Sequence, residues 1–339
     1  MTIRIGFVGC GNHASTNLYP ALRWADCELV AVADTWAERR EVIRRTYHPA
    51  AVHADWRPLL AAGALDAVLV CGPAGLHHEV GIAALEAGLP VFLEKPPAPD
   101  SAGTAALAAA AKRGGALCMV AFMKRFARQY RRAAAIAADP AFGGLMHCHM
   151  TYGYRMGGVT PLTALHVMGI HAIDLVRHFC GEPVTIHVER TEQGGAYGFH
   201  LLCRFAGGHT AAIDMDGTCA GINERLVLVG GNARVVVEEV TTLVHQQAPD
   251  KAWQPLDALL AQPNMALQVD DNASGELQGY RGEICEFISA VAERRQPRCA
   301  TIDDAVAAMR WCDAIAACPS GTISGAVAAV ARATAGSAS

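Results

Sequence analysis

Two glycines and a short polar segment follow the first apolar run of the chain. Gly9-Cys10-Gly11-Asn12-His13-Ala14 has the form G-x-G-x-x-A. The first glycine permits a tight turn, the second lets the backbone approach a phosphate, and the alanine keeps strand and helix close together. Amides at the helix start, including those of Asn12 and His13, are suited to binding phosphate groups. The loop therefore predicts a site for the pyrophosphate of a dinucleotide.

A carboxylate stands where it could bind the ribose of such a dinucleotide. Asp34 ends a second apolar run, 28–33. A carboxylate at that position accepts hydrogen bonds from both ribose hydroxyls and repels a 2′-phosphate. No arginine follows Asp34 at once, although Arg39 and Arg40 lie nearby. We therefore expect NAD, with NADP less favoured; the alternative is that Asp34 is only a surface turn residue.

A lysine closes a later apolar run, 90–94, in the segment Glu94-Lys95-Pro96. An ammonium group is strongly hydrated, so burying Lys95 without a task is costly. Burial also lowers a lysine pKa toward the range that is useful for proton transfer. Oxidation of a carbinol carbon needs a group that accepts the hydroxyl proton, and Lys95 could be that group. The alternative is a lysine whose head reaches solvent from the strand end.

Further candidates are polar side chains near strand ends or on a predicted helix, 162–179: Lys124, Arg125, Tyr152, Tyr154, Arg155, His166, His171 and Asp174. His171 and Asp174 are three residues apart and share a helix face. Tyr152, Tyr154 and Arg155 are candidate substrate contacts, and an arginine suits a carboxylate or phosphate. Each of these candidates also has a purely structural interpretation. Arg155 could be a solvated arginine at a strand end, His166 a core or surface histidine, and 124–125 a solvated helix start.

Cysteine and histidine spacing gives little support to a metal site. The twelve cysteines are scattered without a C-x-x-C pair, so we expect reduced, mostly buried thiols. His147-Cys148-His149 could bind zinc, but in a strand Cys148 points away from the two histidines and no second ligand pair accompanies them. We expect no metal.

The elements that must position these residues change character near residue 122. Before it, apolar runs alternate with helical patterns: strands at 3–8, 28–33, 50–53, 66–71, 90–94 and 116–122, and helices at 77–87 and 100–113. Such alternation predicts a doubly wound parallel sheet, here as a Rossmann domain over 1–122. Pro20 predicts that the first helix is short, kinked or displaced.

The rest of the chain predicts an α+β domain over 123–331 with a largely antiparallel sheet. Strands in series are separated by glycine turns: 184–191, 197–206, 209–216, 224–230 and 233–238. Predicted helices lie at 126–138, 162–179, 279–293 and 303–317. The weak periodicity of 246–276 indicates a surface loop or lid, and 332–339 a disordered tail.

Composition excludes several classes of function. The 339 residues are 52% hydrophobic, and a formal net charge of −4 gives no electrostatic footprint for nucleic acid. No apolar stretch of about 18 residues predicts a membrane span. The first residues lack the pattern of a signal peptide. We therefore expect a cytoplasmic protein without a nucleic-acid or membrane partner.

Three segments resemble the Gfo/Idh/MocA family, the glucose–fructose oxidoreductase and inositol dehydrogenase group. They are Cys71-Gly72-Pro73 with His77, Ala84-Leu85-Glu86-Ala87-Gly88 running into Glu94-Lys95-Pro96, and Gly169-Ile170-His171-Ala172-Ile173-Asp174. The resemblance implies NAD contacts from Cys71, Pro73, His77 and Glu94, and a Lys95-Pro96 peptide that is often cis. It further implies Lys95 as acid/base, assisted by His171, and a homodimer or homotetramer formed through the C-terminal sheet.

One departure concerns the helix that carries His171. Many family members have an aspartate four residues before that histidine, where this chain has Val167. Valine cannot accept a hydrogen bond or balance a cationic lysine, and the adjacent His166 lies about 100° away around an α-helix. The linker 156–161 is also shorter than in many members, which implies a more open pocket.

These patterns together predict hydride transfer between NAD(H) and a secondary alcohol or ketone of a sugar, cyclitol or similar polyol. Two alternatives remain open. One is a glycosidase-like enzyme that recycles NAD; the other is a non-catalytic, NAD-binding regulatory or structural subunit, an idea supported by Val167 and opposed by Lys95 and His171.

Overall fold

The computed structural model describes residues 2–63, 65–247, 254–258 and 271–324. The chain forms two compact units, Met1–Phe126 with Asp271–Val306, and Ala127–Asp270 with Ala307–Ser339. The domain bounds expected from the sequence, 1–122 and 123–331, stay a prediction. The structure adds that Asp271–Val306 groups with the first unit. The tail predicted to be disordered, 332–339, lies outside the described residues.

Six strands of the first unit form a parallel sheet. They are β1 (Ile3–Val8), β2 (Cys27–Ala33), β3 (Ala51–His53), β4 (Ala67–Val70), β5 (Val91–Leu93) and β6 (Cys118–Val120). Their order is β3-β2-β1-β4-β5-β6. This is the order of a doubly wound fold, in which ligands bind at the carboxyl ends of the strands. The parallel sheet predicted from the apolar runs is confirmed.

Helices cover both faces of this sheet. On β5, Phe92 packs against Phe287, whereas Leu93 lies beside Gly81, so successive residues face different helices. The α-helices of this unit are Tyr19–Ala21, Ala37–Tyr47, Trp56–Ala61, Ala74–Glu86, Ser101–Gly114, Asp271–Gln278 and Tyr280–Ala292. The alanine-rich helix Ser101–Gly114 ends where Gly115 adopts φ +63°, a left-handed conformation that favours glycine.

Pro20 accounts for an irregular first helix. The chain passes from a π-helical turn, Ala14–Leu18, through one short α-helical turn into a 3₁₀ turn, Leu22–Trp24. Proline removes one N–H from the helical ladder and clashes with the preceding turn. A second 3₁₀ turn, Met123–Phe126, follows β6. The prediction that Pro20 makes the first helix short, kinked or displaced is confirmed in its first form, because the α-helix spans only Tyr19–Ala21.

The second unit contains a nine-stranded sheet. Its strands are β7 (Leu145–Gly153), β8 (Pro183–Gln193), β9 (Ala196–Phe205), β10 (Thr210–Asp216), β11 (Asn223–Gly230), β12 (Ala233–Glu238), β13 (Thr242–Gln247), β14 (Gln254–Ala258) and β15 (Ser320–Ser324). The order is β14-β13-β12-β11-β7-β10-β9-β8-β15, and neighbours are antiparallel except the parallel pair β7 and β10. The largely antiparallel sheet is confirmed.

Two helices of this unit pack against its sheet. Arg128–Ala138 packs on β12, and Ile170–Cys180 packs on β7 and β10. The remaining helical segments are Pro140–Phe142, Pro161–Ala164, the π-helical turn Leu165–Gly169, and Ile302–Ala317, whose first residues belong to the first unit. No helix among the described residues is long and apolar enough to cross a membrane.

The prediction of a surface loop or lid over 246–276 was wrong for the parts of this segment that the structure describes. Residues 254–258 form β14 and 271–278 form a helix, while 248–253 and 259–270 lie outside the described residues. Three strands, β13 to β15, were not predicted. The side chains of β13 and β15 are mostly polar or half-exposed, so no apolar run marks these strands in the sequence. Hydrogen bonds to a neighbouring strand hold each of them in the sheet.

Candidate functional site

The glycine loop connects the end of β1 to the first helical turn. Gly9 has φ +107°, and a Cβ on it would lie 1.9 Å from the carbonyl oxygen of Cys71. Only glycine fits, because the backbone at the end of β4 passes directly alongside. The Gly9 N–H donates to the carbonyl oxygen of Ala33 at 2.7 Å. The turn is therefore held between the ends of β2 and β4.

Gly11 has more open surroundings than Gly9. A Cβ on Gly11 would find only the Nη1 atom of Arg39 within reach among the described residues, at 3.9 Å. Packing within the chain therefore does not require a glycine here. The open space suits the close approach of a ligand phosphate to the backbone. Asn12 and His13 are exposed beside it, at the start of the helical segment.

Asp34 ties the end of β2 to this loop. Its Oδ2 accepts a hydrogen bond from the Cys10 N–H at 2.7 Å, and its Oδ1 accepts one from the Trp36 N–H at 2.8 Å. Each carboxylate oxygen can accept a second hydrogen bond. The half-buried carboxylate can therefore receive ribose hydroxyls while it keeps the loop in place.

Glu94 follows β5 at the same edge of the sheet. The side chain is buried; its Oε1 lies 3.1 Å from Nε2 of His13, and its Oε2 accepts the Lys95 N–H at 3.0 Å. The Asn17 amide nitrogen donates to Nδ1 of His13 at 3.2 Å, which assigns the ring proton to Nε2. Burial would raise the pKa of Glu94, but His13 and Lys95 lower it overall. Glu94 is thus a buried anion.

Lys95 is half-buried next to that anion. Burial lowers the pKa of its ammonium group, and the positive charge of Lys124 lowers it further, while Glu94 and Cys71 act in the opposite direction. The Lys95–Pro96 peptide is cis, as the resemblance implies. A lysine with a lowered pKa gives and takes a proton more readily near neutral pH, as general acid–base chemistry requires.

His77 braces the turn that carries this lysine. The ring is buried; its Nε2 accepts the Gly72 N–H at 2.7 Å, which leaves Nδ1 to donate to the Pro96 carbonyl oxygen at 2.8 Å. Burial lowers the pKa of His77, so the ring stays neutral. The cofactor contacts expected from the resemblance stay predictions for all of the candidates: Cys71, Pro73, His77 and Glu94.

The two cations after β6 are engaged within the first unit. Lys124 Nζ donates to Gln278 Oε1 at 2.7 Å, and Arg125 forms an ion pair with Asp304 at 3.2 Å. Both cationic side chains are buried. The solvated helix start was therefore the wrong alternative, and a structural ion pair accounts for Arg125.

Sequence reasoning missed Tyr280 and Glu283, which occupy the first turn of the helix Tyr280–Ala292. The Tyr280 ring lies 5.7 Å from that of His13. Glu283 is fully buried, and neither carboxyl oxygen has a hydrogen-bond partner in the described part of the chain. Burial raises the pKa of Glu283 well above its ordinary value, and the charge of Glu94 adds to this. The sequence feature that could have identified these two residues is the Tyr-x-x-Glu spacing at the start of a predicted helix.

In the second unit, the helix around His171 contains the π-helical turn Leu165–Gly169. His166 and His171 are 8% and 5% exposed, whereas Val167 is 37% exposed. In a regular α-helix, residues five apart diverge by about 140°, and the wider turn reduces that divergence. Such π-helical turns occur often at functional sites. The turn therefore buries both histidines and directs Val167 outward.

The candidate substrate contacts before this helix differ in exposure. Tyr152 lies 5.8 Å from the ring of His171, and Asp174 is buried on the same helix. Tyr154 is half-buried, and burial raises its pKa. Arg155 is exposed, so the contact expected from it stays a prediction and its solvated alternative fits the structure better.

The strand geometry at His147 and His149 opposes a zinc site with Cys148. Cys148 is buried and the two histidines are half-exposed on the other face of β7; His149 Nε2 lies 2.7 Å from Asp214. Among the described residues, no group of three or more His, Cys, Asp or Glu side chains is arranged to hold a metal ion.

The strand order, the glycine loop and Asp34 define a dinucleotide-binding Rossmann unit. Residues 3–122 match the model of Gfo/Idh/MocA, the oxidoreductase family with an NAD-binding Rossmann fold. Inositol 2-dehydrogenase 4 of Saccharopolyspora erythraea is 32% identical over 190 residues, which are 54% of this chain and 55% of that protein. The chain thus matches only about half the length of such curated relatives.

Solved structures extend the likeness in fold. A dehydrogenase from Chromobacterium violaceum has a TM-score of 0.86 at 24% identity and covers 98% of this chain and 97% of its own. A levoglucosan dehydrogenase solved with NADH and levoglucosan has a TM-score of 0.82 at 18% identity, over 96% of this chain and all (100%) of its own. At these identities the likeness shows the shared fold.

Proposed function

We propose that the chain is an NAD(H)-dependent oxidoreductase that transfers a hydride to or from a secondary alcohol or ketone of a sugar, cyclitol or similar polyol. The observation that carries the proposal is Lys95, which has a lowered pKa and stands at the ligand edge of an NAD-binding unit. Relatives named for inositol and levoglucosan support the substrate class.

The residues at the sheet edge fit the cofactor. Gly11 leaves room for a pyrophosphate, the exposed residues Asn12 and His13 lie beside it, and Asp34 suits the ribose hydroxyls. When bound, the nicotinamide supplies the hydride acceptor or donor. Because Asp34 repels a 2′-phosphate, the proposal favours NAD over NADP.

Lys95 carries the proton in this proposal. For alcohol oxidation, its neutral amine Nζ accepts the substrate hydroxyl proton; for ketone reduction, the ammonium returns it. Glu94 stabilises the ammonium while burial and Lys124 destabilise it, so the two forms can interconvert. We assign His171 an assisting role, supported by the family resemblance, by its burial, and by the ring of Tyr152 at 5.8 Å from its own in the second unit.

Three wider expectations remain part of the proposal. The nine-stranded sheet would mediate a homodimer or homotetramer, the substrate would be a small polyol or keto-sugar, and the protein would act in the cytoplasm. The first is testable by size-exclusion chromatography with light scattering; a monomer would contradict it.

The test of the proposal is NADH formation with a panel of sugars and cyclitols. We expect NAD-dependent absorbance to rise with at least one polyol, and that polyol to raise the melting temperature additively with NADH. Binding of NADH without turnover on any polyol or ketone would contradict the proposal and favour a non-catalytic subunit. Glycoside cleavage without net NADH would favour the NAD-recycling alternative.

A further inference from the structure

The helix that begins at Tyr280 lies along the face of the parallel sheet that carries Glu94. Phe92 and Glu94 are two residues apart at the end of β5, so their side chains share a face of the sheet. The ring of Phe92 lies 5.6 Å from that of Phe287 on this helix. At the other contact, Nε2 of His13 lies 3.1 Å from Glu94, and the His13 ring lies 5.7 Å from that of Tyr280. The helix therefore passes alongside Glu94.

Glu283 lies between these two contacts on the same helix. Residues three, four and seven apart occupy one helix face, so Glu283 points the same way as Tyr280 and Phe287. It is fully buried, and neither of its carboxyl oxygens has a hydrogen-bond partner in the described part of the chain. The charge of Glu94 adds to the effect of burial on the pKa of Glu283, and that of Glu283 adds to the effect of burial on the pKa of Cys71. Glu283 is thus a second buried carboxyl group at the edge of the sheet that carries Glu94.

The surroundings of the two carboxyl groups move their pKa values apart. Burial would raise the pKa of Glu94, but the charges of His13 and Lys95 lower it overall. For Glu283, burial and the charge of Glu94 both raise the pKa. Two buried carboxyl groups that repel each other in this way do not both ionise, because their like charges are poorly screened. The two groups therefore keep one proton, on Glu283, and one negative charge, on Glu94.

Other charged groups on this helix and on the turns packed against it have partners of their own. These pairs are His13 with Glu94, Lys124 with Gln278, Arg125 with Asp304, Arg281 with Glu276, and Glu286 with Arg295. Glu94 is therefore the charged neighbour that acts on Glu283.

Resting on the proton transfer proposed for Lys95, we infer that Glu94 and Glu283 act as one carboxyl pair with a single negative charge, and that Glu283 is a positioning residue that keeps the charge beside Lys95 at one. A second negative charge there would favour the ammonium form of Lys95 and withdraw the neutral amine that alcohol oxidation needs. When the charge of Glu94 is lost, Glu283 releases its proton and replaces that charge. The pair thus holds the charge beside Lys95 constant.

The pH dependence of kcat/KM for polyol oxidation tests the pair through three variants. Glu283→Gln replaces a group that is already neutral, so the rising limb should stay within about 0.2 pH units of its position in the unaltered chain. In Glu94→Gln, Glu283 ionises and supplies the missing charge. The double variant Glu94→Gln/Glu283→Gln has neither charge, so its limb should lie about half a pH unit further toward acid than that of Glu94→Gln.

Glu86→Gln is the matched control, because it makes the same chemical change at an exposed carboxylate that pairs with Arg113. Added to Glu94→Gln, it should move the limb no further. A limb that moves toward acid in Glu283→Gln alone would show that Glu283 is ionised and would overturn the inference. A double variant whose limb coincides with that of Glu94→Gln would overturn it as well.

The melting temperature tests the same pair without any substrate. Above the ordinary carboxyl pKa of 4.5, Glu283→Gln should change the pH dependence of the melting temperature more in the unaltered chain than in Glu94→Gln, where the repelling charge is gone. Equal changes in the two backgrounds would show that the carboxyl groups are not coupled and would overturn the inference. Absence of turnover with every polyol would instead overturn the proposed function, and these melting temperatures would still decide whether the pair exists.

Discussion

Glu94→Gln removes one buried negative charge beside Lys95 while nearly preserving the shape of the side chain. The Glu94 charge is the largest influence that holds the pKa of Lys95 up against burial. Without that charge the ammonium loses its principal stabilising neighbour, and Lys124 continues to oppose it. The variant should therefore release the Lys95 proton at a lower pH than the unaltered chain.

The size of the effect follows from Coulomb's law. Two unit charges about 4 Å apart interact by about 4 kcal/mol at an effective dielectric constant near 20. Lys95 is half-buried, so solvent screens a large part of this. Retaining about one third leaves about 1.4 kcal/mol, which is one pH unit. Because alcohol oxidation needs neutral Lys95, the rising limb of the rate against pH should move about one unit toward acid.

The assay is the pH dependence of kcat/KM for polyol oxidation. Glu86→Gln makes the same chemical change at an exposed helix position that pairs with Arg113, and it should leave the profile unchanged. Melting temperatures of both variants would show that the fold is retained. A Glu94→Gln profile with an unmoved limb, or one moved toward alkali, would refute the account of the charges around Lys95.

Four further variants test other residues of the two units. Gly9→Ala should destabilise the fold by about 2 kcal/mol or more by calorimetry, because its Cβ meets the Cys71 carbonyl at positive φ. Gly11→Ala should instead leave the melting temperature unchanged and weaken NADH binding at least about tenfold. The pKa of Glu283 is raised in the folded chain above its ordinary value of 4.5, so the folded chain keeps a proton that the unfolded chain releases. The contribution of Glu283 to the free energy of unfolding is therefore highest at low pH and falls as the pH rises above that ordinary value. Glu283→Gln should therefore flatten the fall of melting temperature as the pH rises above that value. His171→Asn should lower turnover about 10²-fold with NADH affinity unchanged.

Each of these has a contradicting outcome. A Gly11→Ala variant as unstable as Gly9→Ala would show that packing, not a ligand, requires that glycine. A Glu283→Gln variant with the same pH dependence of stability as the unaltered chain would show that Glu283 is ionised in the fold. Unaltered turnover in His171→Asn would remove that histidine from the proposed chemistry.

The parallel sheet and the glycine loop could be predicted because local signals determine them. Gly9, Gly11 and Asp34 stand at the ends of strands whose apolar runs are visible in the sequence, and parallel strands bring such ends to one edge. The position of Lys95 follows from the same rule. Its charge environment does not, because Lys124 comes close only through the fold.

The remaining features depend on long-range packing or on small changes in helix geometry. The helix Tyr280–Ala292 was predicted, yet its contribution of Glu283 to the first unit depends on contacts such as Phe287 with Phe92. Apolar periodicity cannot distinguish a π-helical turn from an α-helical one, so the burial of His166 beside an outward Val167 could not be predicted.

The most direct test of the central claim is the turnover of Lys95→Met beside the exposed control Lys112→Met. Methionine keeps much of the stem of Lys95 and removes its titratable amine. We predict that Lys95→Met oxidises the best polyol about 10²- to 10⁴-fold more slowly while binding NADH with unchanged affinity, and that Lys112→Met matches the unaltered chain. Equal turnover in Lys95→Met and Lys112→Met would contradict the assignment of Lys95 as the proton-transfer group.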